Sequence, residues 1–136
     1  MAEKDYDFSC WVIDYNISHH YDLTYEHNTL RDDNDGIIVP LLWNHKHDDV
    51  DSVLGHAILE HHDDVGVYAY CYLNSDKTTT VREILKERGV LSLSPYIHKF
   101  HLEGRQIIGG IIREVSLTPE RIDQNEAYYP VLKGEN

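Results

Sequence analysis

Apolar and polar residues alternate with a period of two through Gly66–Leu73, with Val67, Ala69, Cys71 and Leu73 on one side and Tyr68, Tyr70 and Tyr72 on the other. Side chains on a strand point alternately to its two faces, so this segment predicts a strand with one buried face. Phe8–Asp14 and Val53–Glu60 read as two more strands, the second followed by a turn at His61–Asp64. Ile37–Trp43 is an apolar run behind Gly36, interrupted by Pro40. Proline cannot donate to a ladder, which predicts an edge or terminating strand there. Leu91–Phe100 and Gln106–Thr118 read as two strands joined near Gly104 as a hairpin, with Gly109-Gly110 marking a bulge, a bend or a close backbone approach. One helix is expected. Thr80 and Glu83 fit a capping box, Val81, Ile84 and Leu85 form its apolar stripe, and Gly89 suits its end. Asn16–Asp35 carries few apolar residues and reads as a long loop or an irregular strand pair; His45–Asp51 reads as a charged loop. The sum is mainly β with α (α+β): a single-domain barrel or sandwich-like sheet with at least one flanking crossover helix.

Composition narrows the partners. The chain has 136 residues, which fits one domain with one core. Its 24 acidic and 12 basic residues give a formal charge of −12 with histidine neutral. Nucleic-acid binders carry a basic face, and anionic membrane surfaces attract basic segments, so neither partner is expected. No apolar run is long enough to span a bilayer, and the start of the chain lacks the pattern of a signal peptide. With Cys10 and Cys71 as the only cysteines, a disulfide framework is not expected and a reducing cytosol is the default. Cys71 falls on the apolar face and reads as core.

Ten histidines pose the question of chemistry. A serine needs a base within hydrogen-bond reach to become a nucleophile, and histidine is the usual base. His45 follows the Ile37–Trp43 strand and Ser94 follows the helix, so both could meet at one end of a sheet. His47 shares the local segment with His45 and competes for the role. His98 lies four residues past Ser94, roughly 13 Å along a strand and too far for direct contact. Glu114 and Ser116 share one face of the last strand if Val115 and Leu117 face the core. A carboxylate at 114 could orient an imidazole or simply be solvated. The segment His45-x-His47 with Asp48 and Asp49, and the pairs His19-His20 and His61-His62, offer metal-type ligands. They lack a helical or Cys-x₂-Cys spacing, and the paired histidines read as solvated loops or turns, so no metal or other cofactor is expected. Gly109-Gly110 does not form a phosphate-binding loop.

Six segments, in this order, resemble the caudoviral prohead (capsid maturation) serine proteases, in the short form found in phages of Gram-positive bacteria. Asp7-Phe8-Ser9-Cys10-Trp11-Val12 resembles an opening D-F-S-G-W-A strand, with cysteine in place of glycine. Val39-Pro40-Leu41-Leu42-Trp43-Asn44-His45 resembles V-P-L-x-W-N-H, which ends in the catalytic histidine. Val53-Leu54-Gly55-His56-Ala57 is similar to x-L-G-x-A/V, and Gly66-Val67-Tyr68-Ala69-Tyr70-Cys71 to G-V-Y-A-Y-C. Leu93-Ser94-Pro95-Tyr96 falls where the family has L-S-I-Y or S-I-G-Y with its nucleophile, and Arg113-Glu114-Val115-Ser116-Leu117 resembles x-E-V-S-L. The match is clearest over 7–118; residues 119–136 form a C-terminal extension where it fades.

The resemblance implies a single prohead-protease-like domain over 1–136 with an assemblin-like β-barrel, by distant kinship with the herpesvirus assemblins. It implies Ser94 as nucleophile, His45 as general base and Glu114 as third member, working through an acyl-enzyme. It implies a serine endopeptidase that cleaves the major capsid protein precursor and scaffold segments, inside an assembling procapsid in the host cytoplasm, and a homodimer or other self-association. Backbone N–H groups would stabilise the oxyanion, and close backbone approach near the site is the guess for Gly109 or Gly110. Pro95 departs from the family pattern and has no N–H to offer. That departure keeps open an inactive scaffold or head-assembly module of the same fold; a histidine-rich metal-binding protein is the third alternative.

Overall fold

The computed structural model describes residues 6–16, 23–46, 50–88, 92–118 and 131–132. Within them the elements are β1 (Phe8–Asp14), β2 (Thr24–Tyr25), α1 (Arg31–Asn34), β3 (Ile38–Trp43), β4 (Val53–His62), β5 (Gly66–Leu73), α2 (Thr78–Arg88), β6 (Ser92–His98), β7 (His101–Glu103), β8 (Gln106–Ile108), β9 (Ile111–Thr118) and β10 (Val131–Leu132). A seven-stranded sheet has the order β10-β1-β5-β4-β3-β9-β6, and a three-stranded sheet the order β2-β8-β7. The large sheet curls into a half-barrel, which brings β1 into contact with β6. The fold is mainly β, with few helices, in one small domain.

The period-two pattern seen along β5 is carried across the whole sheet by its register. Phe8, Cys71, Ala57 and Val39 form one row across β1, β5, β4 and β3. Gly55, Leu41 and Val115 continue the same face across β4, β3 and β9. Every side chain in these rows is buried and belongs to the hydrophobic core. The intervening residues line the opposite face: Ser9, Tyr70, Ile58 and Ile38 in one row, Trp11, Tyr68 and Glu60 in the next. This second face mixes aromatic, aliphatic and charged groups and stays partly open, with Ile38 66% exposed.

Several sequence expectations need correction. β3 is not an edge strand; it lies between β4 and β9. Pro40 is tolerated there because parallel pairing with β9 begins only at Leu41. The proline that does sit on an edge strand is Pro95, in β6. The capping box does not form, because α2 starts at Thr78 and encloses both Thr80 and Glu83. The turn after β5 already winds the chain: Lys77 N donates to Asn74 O at 2.9 Å, and Val81 N to Lys77 O at 3.0 Å. Val81 and Leu85 are buried as the stripe required, while Gly89 lies outside the described residues. The expected final hairpin is in two parts. β6 pairs with β9 and β7 with β8, and Gly109-Gly110 breaks the chain between β8 and β9. Within 16–35, where a long loop or an irregular strand pair is expected, the described residues form the two-residue β2 and the four-residue α1, and 17–22 lie outside the described residues.

The four-residue α1 owes its place to one buried amide. Asn34 Nδ2 donates to Leu30 O at 2.9 Å and to Gly110 O at 3.1 Å, and its Oδ1 accepts from Ile112 N at 2.7 Å. Gly109 N donates to Thr29 Oγ1 at 2.6 Å. These bonds clamp the glycine break and so set where β9 enters the sheet.

His61 and His62 belong to β4, not to a turn. The His61 side chain is 2% exposed. Tyr15 OH accepts from Leu30 N at 3.3 Å and lies 2.8 Å from His61 Nε2, so its proton goes to that nitrogen. Nδ1–H then faces Asp63 Oδ1 at 3.4 Å, and Asp63 also pairs with Arg31. Burial holds the His61 pKa below its ordinary value against the pull of Asp63, and burial pushes the Tyr15 phenol up to about 12.

Two stability predictions follow from this packing. A Cβ on Gly55 would lie 1.9 Å from Tyr72 O, whereas one on Gly104 meets nothing within 4 Å and suffers only its φ of +63°. Gly55→Ala should therefore lower unfolding free energy by about 3 kcal/mol, and Gly104→Ala by about 1 kcal/mol. Urea titrations giving equal losses would contradict the close β4–β5 approach. For His61, the unfolded chain takes up the proton first as pH falls, because its pKa is the higher one. The stability tied to neutral His61 is thus complete above the ordinary value of 6.5 and is lost as acid carries the pH down toward the folded pKa. His61→Gln should lose less stability than the parent between about pH 7 and about pH 5; parallel losses in the two proteins would refute this.

Candidate active site

β9 carries the site because it pairs with β3 on one side and β6 on the other. Parallel pairing sets Leu41, Leu42 and Trp43 beside Val115, Ser116 and Leu117. The chain leaving β3 is therefore delivered next to the second half of β9. Asn44 and His45 are both left-handed, with φ of 53° and 57°. Asparagine adopts that region at modest cost, while for histidine the cost is about 1–2 kcal/mol, so surrounding bonds must hold it. Asn44 N donates to Leu117 O at 3.0 Å, Lys46 N to Trp43 O at 3.2 Å, and His45 N to Ser116 Oγ at 3.0 Å. The turn folds His45 back over β9.

There the imidazole meets a buried carboxylate. His45 Nδ1 is 3.1 Å from Glu114 Oε1, with side-chain exposures of 32% and 4%. Ser116 Oγ donates to Glu114 Oε2 at 2.9 Å while accepting the His45 N–H. A carboxylate only accepts, so the bond pattern assigns the proton to His45 Nδ1 and makes Nε2 the basic nitrogen. Glu114 is thus an orienting carboxylate and not a solvated strand residue. The sequence reading placed Glu114 and Ser116 on one face but missed Ser116 as the bridge between the histidine backbone and the carboxylate. The signal available was an asparagine, which adopts the left-handed region at modest cost, directly after an apolar strand.

Ser94 stands on the same face. Antiparallel partners point to the same side of a sheet, and β6 sets Ser92, Ser94 and Tyr96 opposite Thr118, Ser116 and Glu114. Ser92 Oγ lies 3.1 Å from Thr118 Oγ1. Ser94 is 8% exposed, and its Cβ lies about 5 Å from that of Ser116, as for any direct cross-strand pair. β9 separates β3 from β6, which puts those two backbones roughly 10 Å apart. His45 sits past the end of β3 and lies over β9, on the side of the sheet that carries Ser94. His45, Glu114, Ser116 and Ser94 are therefore gathered on one face, a basic nitrogen beside an orienting carboxylate with a hydroxyl one strand over. Such an arrangement suits proton transfer from a serine.

Other predicted groups do not join. His98 is at the far end of β6, opposite Ile111. Gly109 and Gly110 lie at that same end, before Ile111, and the Gly109 N–H is taken by Thr29. They give no close backbone approach at Ser94, which lies toward the other end of the strand pair. Their role is structural, as a Cβ on Gly110 would lie 2.5 Å from Ile97 Cγ2. His19, His20, His47, Asp48 and Asp49 lie outside the described residues. Among the described residues no three or more His, Cys, Asp or Glu side chains gather as a metal site. Cys71 is fully buried, as expected of core, and desolvation pushes its thiol far up. No helix of the described residues is long and apolar enough to cross a membrane.

No protein-family model, curated protein or solved structure matches this chain.

Removing the bridging hydroxyl tests the site as a built unit. Ser116→Ala leaves Glu114 Oε2 and the His45 N–H short of a partner in a buried place, and should cost about 1–3 kcal/mol of unfolding free energy. A denaturant midpoint equal to that of the parent would show the cluster to be slack.

Proposed function

We propose that this protein is a serine endopeptidase of the prohead-protease kind, with an assemblin-like fold, that processes capsid precursor and scaffold segments during phage procapsid maturation. The observation that carries the reading is the His45–Glu114 pair, held by Ser116, on the face that also bears Ser94. The order of the six sequence segments supports it, as does the half-barrel sheet. In this reading Ser94 Oγ attacks a peptide carbonyl and its proton passes to His45 Nε2. Glu114 holds Nδ1–H and stabilises the imidazolium that forms. The proton then returns to the leaving amine, the acyl-enzyme forms, and water releases it by the same path reversed. No cofactor takes part.

A second reading has one observation in its favour. Position 95, next to the nucleophile, has no N–H, so a backbone donor that hydrolases place beside the serine is missing here. In that reading the fold serves head assembly without cleavage.

A fluorophosphonate probe separates the two without knowledge of the substrate. The protease reading expects covalent labelling of the parent at Ser94, located by peptide mass spectrometry, and none in Ser94→Ala. Glu114→Gln should keep the serine but slow labelling by about 10²–10⁴-fold, as expected when the orienting carboxylate of a triad is neutralised. Absence of label in the folded parent, or equal label in Ser94→Ala, would overturn the protease reading in favour of the assembly module.

A further inference from the structure

The face that bears Ser94 continues across β3 and β4 to β5 and β1, where it changes character. Tyr6, Tyr70, Tyr68, Trp11 and His62 form a continuous chain of rings. Tyr6–Tyr70 centroids are 5.2 Å apart, Tyr70–Tyr68 5.2 Å, Tyr68–Trp11 4.9 Å and Trp11–His62 5.4 Å, all edge to face. Two adjoining depressions of about 310 and 460 Å³ share His62 and Tyr70. Between the rings lies a carboxylate. Glu60 Oε1 accepts from Tyr70 OH at 3.3 Å and lies 2.8 Å from His62 Nε2. Its side chain is 32% exposed and that of His62 43%, so water reaches this group. Trp11, Tyr68 and Tyr70 line the smaller depression and Tyr70 and Glu60 the larger, and an aromatic face attracts a cation. Burial and the Glu60 charge push the Tyr70 phenol up to about 12, which keeps it a neutral donor to that carboxylate.

We propose that Trp11, Tyr68, Tyr70 and Glu60 form a recognition site for a lysine or arginine side chain on an extended segment of a partner polypeptide. The cation replaces His62 at Glu60 and packs on the ring faces. Charge favours this occupant, since the chain carries twice as many acidic as basic residues, 24 against 12. A polypeptide suits the surroundings better than a free amine does. Exposed Ile38 and Pro40 and half-buried Ile58 lie on the same face beside the rings, offering an apolar ledge to neighbouring residues of an extended chain. Glu60 is two strands across and about four residues along from Glu114, roughly 16 Å, which an extended chain spans in about five residues. The site is a binding site in its own right and does not require Ser94 to be a nucleophile.

The test is therefore one of binding. Full-length protein carrying Ser94→Ala, so that nothing is cleaved, is titrated by ¹H–¹⁵N NMR with a capped Gly-Ile-Lys-Ile-Gly peptide and with its norleucine and glutamate counterparts in place of lysine. The lysine peptide should shift the Trp11 indole N–H and the Tyr68–Tyr70 amides, and should bind at least tenfold more tightly than either counterpart. Glu60→Gln should remove that preference, and Trp11→Leu should weaken lysine-peptide binding at least fivefold while the amide spectrum elsewhere remains that of the folded protein. Equal binding of norleucine and lysine peptides, an undiminished preference in Glu60→Gln, or shifts confined to other parts of the sheet would overturn the proposal. Failure to label Ser94 with a fluorophosphonate would leave this result unaffected, so the two readings fail separately.

Discussion

Insertion of β9 between β3 and β6 is the constraint on which the rest of this structure depends. One of its neighbours is parallel and the other antiparallel. The parallel contact delivers the end of β3, and with it His45, to Glu114 and Ser116. The antiparallel contact sets Ser94 directly across from Ser116. Had β3 been the edge strand that Pro40 suggested, the histidine would have had no strand to lie over. The Asn34 clip and the Thr29 bond to Gly109 matter for the same reason, because they fix the point at which β9 enters the sheet.

The sheet separates two tasks by the parity of its residues. Odd positions on β1 would be even positions on a neighbour, but the register keeps one face apolar from β1 through to β6. That face supplies nearly all the buried hydrophobic surface of the strands, and it leaves the other face unencumbered by the need to make a core. The second face has a polar, buried end around Ser94, Ser116 and Glu114 and an open, aromatic end around Trp11, Tyr68 and Tyr70. Buried polar groups are costly unless satisfied. At the buried end each of Glu114 and Ser116 has partners, and among the described residues no buried side-chain N or O atom is left without one. At the aromatic end the rings satisfy one another by edge-to-face contacts, while Glu60 is shared between Tyr70 and His62.

The histidines show how little residue counts say about role. His45 is held by a carboxylate beside a serine, His61 is sealed under Tyr15, and His62 leans on Trp11 and Glu60. His61 and His62 are sequence neighbours on opposite faces of β4, one turned to the interior and the other to the open face. A strand's alternation makes that division automatic once the segment is known to be a strand, and nothing in a His-His pair says that it is.

The sequence by itself determined the bounds of β1 and β5 to the residue, the clean alternation of β5, the apolar stripe of α2, an irregularity at Gly109-Gly110 and the shared face of Glu114 and Ser116. These are local properties, set by the two- and 3.6-residue periods and by the special backbone freedom of glycine. It also singled out His45, Ser94 and Glu114, through motifs whose spacing along the chain says nothing of distance in space. Strand order was decided only in the tertiary structure, because Pro40 marks a missing donor but not which neighbour would have needed it. So was the start of α2, where the turn at Asn74–Lys77 overrode a capping signal, and so was the clip made by Asn34 to residues 76 and 78 positions away. The convergence of His45 on Glu114, across 69 positions, belongs to the same class. Pairings at such separations depend on the summed burial of a whole sheet, and no window of sequence contains that sum.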